Sequence, residues 1–218
     1  MPETVRTYLL SNPYSVQEMD RDEFYDEQIL VWKKDEKPTR AVETVAIFLF
    51  NEEGKLLIQK RSRSKRHNPK AFDKSVGGHM VSGNSLIESA FFELIQEMHV
   101  PSTVHVEERA FKKYLKELTG IDGALKHVAV VKFIDTGLHL LGRVIDGERY
   151  VIANKVNLFF GFYDGGVYPS DKESTGYAWT TLAELADDMS ESSGFTEDLA
   201  YFIKTYEKQI QEFLALRG

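Results

Sequence analysis

The sequence predicts one α/β (α+β) domain built on a mixed β-sheet, and three observations carry that prediction. Short apolar runs of strand length recur from Val45 onward, each bounded by turn residues. Between them stand helical stretches with explicit start signals, because Ser85-Leu86-Ile87-Glu88 and Thr181-Leu182-Ala183-Glu184 both read as capping boxes. The composition, 42% apolar and 12% aromatic over 218 residues, is enough for a sizeable core.

Residues 1–40 are polar and charged and carry Pro2, Pro13 and Pro38, so they read as an N-terminal arm with one short element around Ile29 to Trp32. The domain itself runs over 41–218. Val45, Ile47, Leu49 and Phe50 mark a strand, Asn51-Glu52-Glu53-Gly54 a turn, and Leu56-Leu57-Ile58 the returning strand. A basic loop follows, with Lys60, Arg61, Arg63, Lys65, Arg66, Lys70 and Lys74. Such a run is ordinarily a solvated surface. Placed just ahead of a helix with paired carboxylates, it reads better as a clamp for phosphate oxygens.

The helix opened by Ser85 is expected to stop soon after Met98, with Pro101 close behind. Ile87, Ala90, Phe91, Leu94 and Met98 follow the i, i+3, i+4, i+7 rule and are expected to face the core. Phe92 lies off that stripe and is expected to be at least half buried, under the arm, the 111–118 segment or a second subunit. Further strands are expected at Val104 to Val106, His127 to Ile134 and Val156 to Tyr163. Residues 111–150 read as an insertion with a helix over Phe111 to Leu118. A final helix, 197–216, would bury Leu199, Phe202, Ile203, Tyr206, Ile210 and Phe213 along one stripe.

Composition also narrows function. A net charge of −7 argues against nucleic acid or an anionic membrane as the main partner. With no cysteine there is no disulfide, thiolate ligand or cysteine nucleophile, which fits a reducing cytoplasm. No segment approaches the roughly 20 apolar residues of a membrane span, and the start shows no signal-peptide pattern.

The chemistry concentrates between Ser75 and Val100. Ser75-Val76-Gly77-Gly78-His79-Met80 delivers the chain to a helix carrying Glu93 and Glu97, four residues apart and so on one face. Two bare anions there would repel, and a divalent cation beside them resolves the conflict. His79, a single histidine without partners, reads as a hydrogen-bonded loop residue rather than a ligand.

This stretch resembles the Nudix box, the metal and diphosphate motif of Nudix hydrolases, aligned from Gly78. Glu93, Leu94, Glu97 and Val100 match it. Asn84 stands for its first glutamate, Phe92 for its arginine, Gln96 for a glutamate and His99 for its last glycine. The first glutamate and the arginine form an ion pair in the family, so their joint loss avoids an unpaired charge. Gln96 is a weaker ligand for magnesium than a carboxylate. His99 costs roughly 1 kcal/mol if the backbone is left-handed there.

Outside the box, Leu56-Leu57-Ile58-Gln59-Lys60-Arg61-Ser62, Lys65, Pro69, Phe72 and Ser75 to His79 are similar to the branch containing isopentenyl-diphosphate isomerase. Tyr177-Ala178-Trp179-Thr180-Thr181-Leu182 and Phe195-Thr196-Glu197-Asp198-Leu199 resemble hydrolases of the same branch. The resemblance implies a Nudix-type α/β/α sandwich and a small-molecule diphosphate ligand. It implies Mg²⁺ or Mn²⁺ on Glu93 and Glu97, and phosphate contacts at Arg61, Lys65 and Gly78. Glu93 would bind metal or orient the attacking water, while Glu173 or Asp171 would serve as base. Isomerase chemistry is not expected, because Gly77 occupies the catalytic cysteine position. Ala153 and Lys155 replace its glutamates, and Asp35 and Val42 fall near its metal histidines. Two readings stay open: a hydrolase of a nucleoside diphosphate linked to another group, or a related diphosphate, and a Nudix-fold module that binds such a ligand without turnover. A homodimer stays open too.

Overall fold

The chain is described by a computed structural model covering residues 3–169, 172–191 and 194–217. Its spine is a long buried strand, β3 (Arg40–Phe50), the fourth element after β1 (Thr4–Leu9), β2 (Asn12–Asp20) and α1 (Arg21–Asp35). Then come β4 (Leu56–Arg61), β5 (Phe72–Asp73), β6 (Val76–His79), α2 (Leu86–Met98), β7 (Ser102–His105) and α3 (Glu108–Thr119). A long hairpin of β8 (Ala129–Ile145) and β9 (Glu148–Phe162) is followed by β10 (Ser174–Thr180) and by α4 (Leu182–Glu191), α5 (Glu197–Thr205) and α6 (Glu207–Leu214).

The mixed sheet runs β10-β4-β3-β9-β8-β7, with β1 and β6 also paired to β3, β2 to β1 and β5 to β4. β3 and β9 are parallel, in register from Ala41↔Ala153 to Phe50↔Phe162. A parallel pair is covered on both faces, and β3 shows why in its alternation. Ala46, Phe48 and Phe50 enter one core with Phe160, Phe162, Phe202 and Phe213, beneath α3, α5 and α6. Val45, Ile47 and Leu49 enter a second core, against Ala90, Leu94 and Met98 of α2. The result is the helix–sheet–helix sandwich that the resemblance implied.

Three expectations need correction. The N-terminal arm holds β1, β2 and a 15-residue helix rather than one short element. β1 joins β3 (Thr7↔Val42), and Phe24 and Tyr25 seal a third core. The helix expected over Phe111 to Leu118 is present as α3, and the rest of the 111–150 segment is mostly the β8–β9 hairpin. The final helix is two, broken at Tyr206 (φ −108°, ψ 19°), whose hydroxyl donates to Asp135 at 3.2 Å. That bend lets Phe202 and Phe213 both reach the sheet. On α2, Ile87 and Phe91 are 44% and 37% exposed, while Glu97 is buried with Ala90, Leu94 and Met98. The buried face is rotated toward the carboxylates, since their face is the one closed against β4 and β6. Phe92 is 42% exposed and meets Phe91 edge-on at 5.7 Å.

Both capping boxes are present, Ser85 with Glu88 and Thr181 with Glu184. His99 ends α2 in the left-handed region (φ 54°, ψ 29°). His99→Gly is therefore expected to stabilise the fold by about 1 kcal/mol, readable as a rise in Tm of about 2–4 °C for a chain of this size. Among the described residues, no helix is long and apolar enough to cross a membrane.

Candidate active site

The site is built where β6 pairs with β3 (Val45↔Gly78, Ala46↔Gly77) and α2 lies across it. Gly78 is required there by contact. A Cβ on it would stand 1.9 Å from Glu93 Oε1, so the Glu93 carboxylate rests on bare backbone. Glu97, only 4% exposed, is held from two sides. Gly77 N–H donates to its Oε1 at 3.4 Å and Gln59 Nε2 to its Oε2 at 3.3 Å. The capped helix and the glycine pair together fix two carboxylates against one strand.

Gly78→Ala tests that arrangement. The clash falls on the end of a flexible side chain, so the fold should survive with a loss within about 1–3 kcal/mol. Glu93 must move, and if it holds the divalent ion that the resemblance implies, metal affinity should fall at least about tenfold by analogy with displaced ligand supports. Manganese binding followed by electron paramagnetic resonance, beside a melting curve, checks both parts.

A cavity of about 600 Å³ opens over these groups. Arg61, Lys65, Gly78, Glu93, Glu97 and Glu173 all line it, and so does Gln96. Asp171 lies outside the described residues. The basic loop is not a naked positive surface. Lys65 is ion-paired with Glu173. Arg61 donates to Asp73 at 3.1 Å and, from Nε and Nη2, to the His67 carbonyl at 3.1 and 2.8 Å. Arg66 bridges Asp26 of α1 and Asp146 of the β8–β9 turn, at 2.8 and 3.2 Å.

Several cavity residues were not singled out from the sequence. Asp73 is buried and accepts from Thr196 Oγ1 at 2.9 Å and Lys74 Nζ at 3.2 Å, besides Arg61. Burial opposes its charge, but Lys74 and Arg61 outweigh burial and hold the carboxyl well below its ordinary value. Arg143 donates to Asn154 Oδ1 at 2.8 Å, Tyr25 Oη at 3.2 Å and Asp198 Oδ2 at 3.5 Å. His67 packs its ring 4.1 Å from that of Tyr25. Burial, then the charge of Arg143, pushes its imidazole down to about 2, so it stays neutral. His79 sits between Tyr25 (3.0 Å) and Glu3 (3.5 Å), and burial lowers its pKa despite Glu3. It is hydrogen-bonded as expected, but it ends strand β6, paired with Thr44 of β3, rather than sitting in a loop. Asp198 alone had a signal in the sequence, inside the Phe195–Leu199 segment.

The donor set can be tested against a metal. Among the described residues, no three His, Cys, Asp or Glu side chains converge as a dedicated cage. Magnesium does not need one: it is bound by one or two carboxylates and completed by water and substrate phosphate. Glu93 and Glu97, beside the neutral oxygen of Gln96, suit that mode.

No protein-family model matches the chain. It is 24% identical over 143 residues to an isopentenyl-diphosphate Δ-isomerase of Serratia proteamaculans, a match spanning 66% of this chain. The chain spans 63% of that isomerase, less than two thirds of its length. Among solved structures it is similar to DR0079 of Deinococcus radiodurans, at 17% identity and a TM-score of 0.61, covering 93% of this chain and 98% of that one. It is also similar to the Nudix domain of Shewanella oneidensis NrtR, solved with ADP ribose, at 12% identity and a TM-score of 0.50, covering 88% and 99%. With β3 and β9 at the centre of a mixed sheet, α2 on one face and α3, α5 and α6 on the other, the chain has the Nudix fold.

Proposed function

We propose that this protein is a divalent-metal-dependent hydrolase that cleaves the diphosphate linkage of a small molecule. One observation carries the reading: a single cavity joins two helix carboxylates, Glu93 and Glu97, to two cations, Arg61 at the end of β4 and Lys65 in the loop after it, across a bare glycine backbone. Glu93 and Glu97 would hold magnesium or manganese. Such an ion, when bound, neutralises phosphate charge and lowers the pKa of water.

The chain's own groups supply the rest. Arg61 commits three of its five donors to Asp73 and His67, which fixes the plane of the guanidinium and leaves two for phosphate oxygens. Lys65 is held by Glu173 until a phosphate competes for it. That exchange puts a cation on the ligand and releases a carboxylate able to take a proton from water. Glu93 is the second candidate for orienting that water. Isomerisation has no counterpart here, because Gly77 offers no side chain, and a Cβ there would meet Lys74 Cε at 2.6 Å. The absence of cysteine suits a cytoplasmic setting.

The test is titration of the purified protein with magnesium and manganese, alone and with a panel of nucleotide and prenyl diphosphates, following released phosphate. Metal-dependent release supports the hydrolase. Gln96, an amide where the motif has an acid, favours one other reading: a module that binds a diphosphate without cutting it. Saturable binding without release would establish that reading instead. Gln96→Glu separates the two: a rise in metal affinity and turnover marks a weakened hydrolase, and no response favours the binding module.

A further inference from the structure

A chain of ion pairs lines the cavity. Arg61 meets Asp73 at 3.1 Å, Asp73 meets Lys74 at 3.2 Å, Lys74 meets Asp198 at 3.7 Å, and Asp198 meets Arg143 at 3.5 Å. All five residues line the cavity, and none of their side chains is more than 15% exposed. Among the described residues this chain sets three cations against two carboxylates. Withdrawing an ion from water is costly unless it is paired, so a cluster with positive charge in excess suits a cavity whose ligand is an anion. Lys74 stands at the middle of the chain. An ammonium has three donors, and Lys74 Nζ gives one to Asp73, while Asp198 lies beyond hydrogen-bond distance. The backbone beside it is bare. A Cβ on Gly77 would stand 2.6 Å from Lys74 Cε and 3.2 Å from its Nζ, so glycine at 77 leaves the room that the lysine occupies. Gly77 lines the same cavity, and its N–H donates to Glu97, so the ammonium lies beside the strand that carries the candidate metal carboxylates.

We propose that Lys74 is a further catalytic residue, whose ammonium crosses the bare Gly77 backbone to meet a phosphate oxygen of the bound diphosphate. The inference rests on the hydrolase reading of this cavity and adds a cation to it. In the step, a bond forms between the water oxygen and phosphorus, and the bond from phosphorus to the bridging oxygen breaks. The bridging oxygen leaves with the electron pair, and the water proton goes to a carboxylate such as the one that Lys65 releases at Glu173. Lys74 keeps its proton and supplies fixed positive charge where negative charge grows. Its partners hold it there in advance, since Asp73 is itself fixed by Arg61 and Thr196, and Asp198 by Arg143. A lysine serving structure alone would balance the charge of its neighbours, whereas this one adds to a surplus.

The experiment is a footprint of lysine reactivity on the full chain. Acetic anhydride labels the amines, and peptide mass spectrometry reads each lysine without ligand and with magnesium plus methylenediphosphonate. That probe has carbon in place of the bridging oxygen and cannot be cut, and isothermal titration reads its binding. Labelling of Lys74 is expected to slow at least about tenfold at saturating probe, while the exposed Lys113 and Lys208 label as before. In the turnover assay Lys74→Met should lower kcat by about 10²-fold. Gly77→Ala, which crowds the ammonium from its place, should lower kcat in the same sense. Binding of the probe without protection of Lys74 overturns the assignment and leaves the diphosphate reading intact. So does a Lys74 that never labels, because a group closed to solvent cannot meet substrate. Protection with kcat unchanged within about twofold in Lys74→Met also overturns it, leaving a contact outside the chemistry. Failure of the probe to bind, with no phosphate released from any compound of the panel, removes the diphosphate reading and this assignment with it. The wild-type footprint decides the matter if a variant fails to fold.

Discussion

Glu97→Gln is expected to lower metal-dependent turnover by about 10²–10³-fold, the size of effect seen when one preorganised charge-stabilising group is lost. The side chain keeps its volume and its place between β4 and β6, so the change tests charge rather than shape. Its effect on the fold should be small and specific. Glu97 accepts a hydrogen bond on each oxygen, from Gly77 N–H and Gln59 Nε2. An amide accepts on one atom only and turns its NH₂ toward the other donor, costing about 1 kcal/mol. Paired measurements of kcat and Tm separate the two. A large fall in kcat with a shift of a few degrees places Glu97 at the metal. A kcat unchanged within twofold would remove it from the chemistry.

Asp73→Asn should act in the opposite sense, chiefly on stability. The carboxylate is the shared acceptor for Arg61, Lys74 and Thr196. Breaking such a buried pair costs about 3–5 kcal/mol, because a cation is left without its counter-charge. The pH dependence gives a sharper readout. The folded pKa of Asp73 lies below its ordinary value of 3.8. Its stabilising contribution is therefore fully present above about pH 4 and is lost as pH falls from there toward the folded value. Denaturant unfolding should show wild type and Asp73→Asn far apart at pH 7 and converging below pH 4. A gap independent of pH would mean that the carboxylate charge is not what holds the loop.

The central strands were legible because β3 and β4 write their burial into the sequence. Val45, Ile47 and Leu49 alternate with partners on the other face, and the turn at Asn51–Gly54 is explicit. α2 was legible in its boundaries but not in its facing. Ile87 and Phe91 satisfy helical periodicity as well as Ala90 and Leu94 do, and only the tertiary need to close on Glu97 chooses between them. The N-terminal hairpin left almost no signal. β2 is exposed along nearly its whole length, and α1 buries only Phe24, Tyr25 and Gln28, too few to make a stripe. The break at Tyr206 was hidden because the apolar spacing continues through it. In the site, Glu93, Glu97 and the basic loop share a local pattern. Asp73, Arg143 and Asp198 do not, since they come from β5, β8 and α5 and meet only when the sheet is assembled.

The parallel pairing of β3 with β9 bears on how the chain must be made. Residue 41 finds its partner at 153, so the middle strand waits for more than a hundred further residues before one of its edges is closed. Such long-range pairing is slow to form. Until β9 is synthesised, Phe48 and Phe50 stand on an unfinished edge, the kind of surface on which nascent chains associate wrongly. The β8–β9 hairpin therefore closes the edge of β3, and α5 and α6, which follow it in the chain, complete the cover over Phe48 and Phe50.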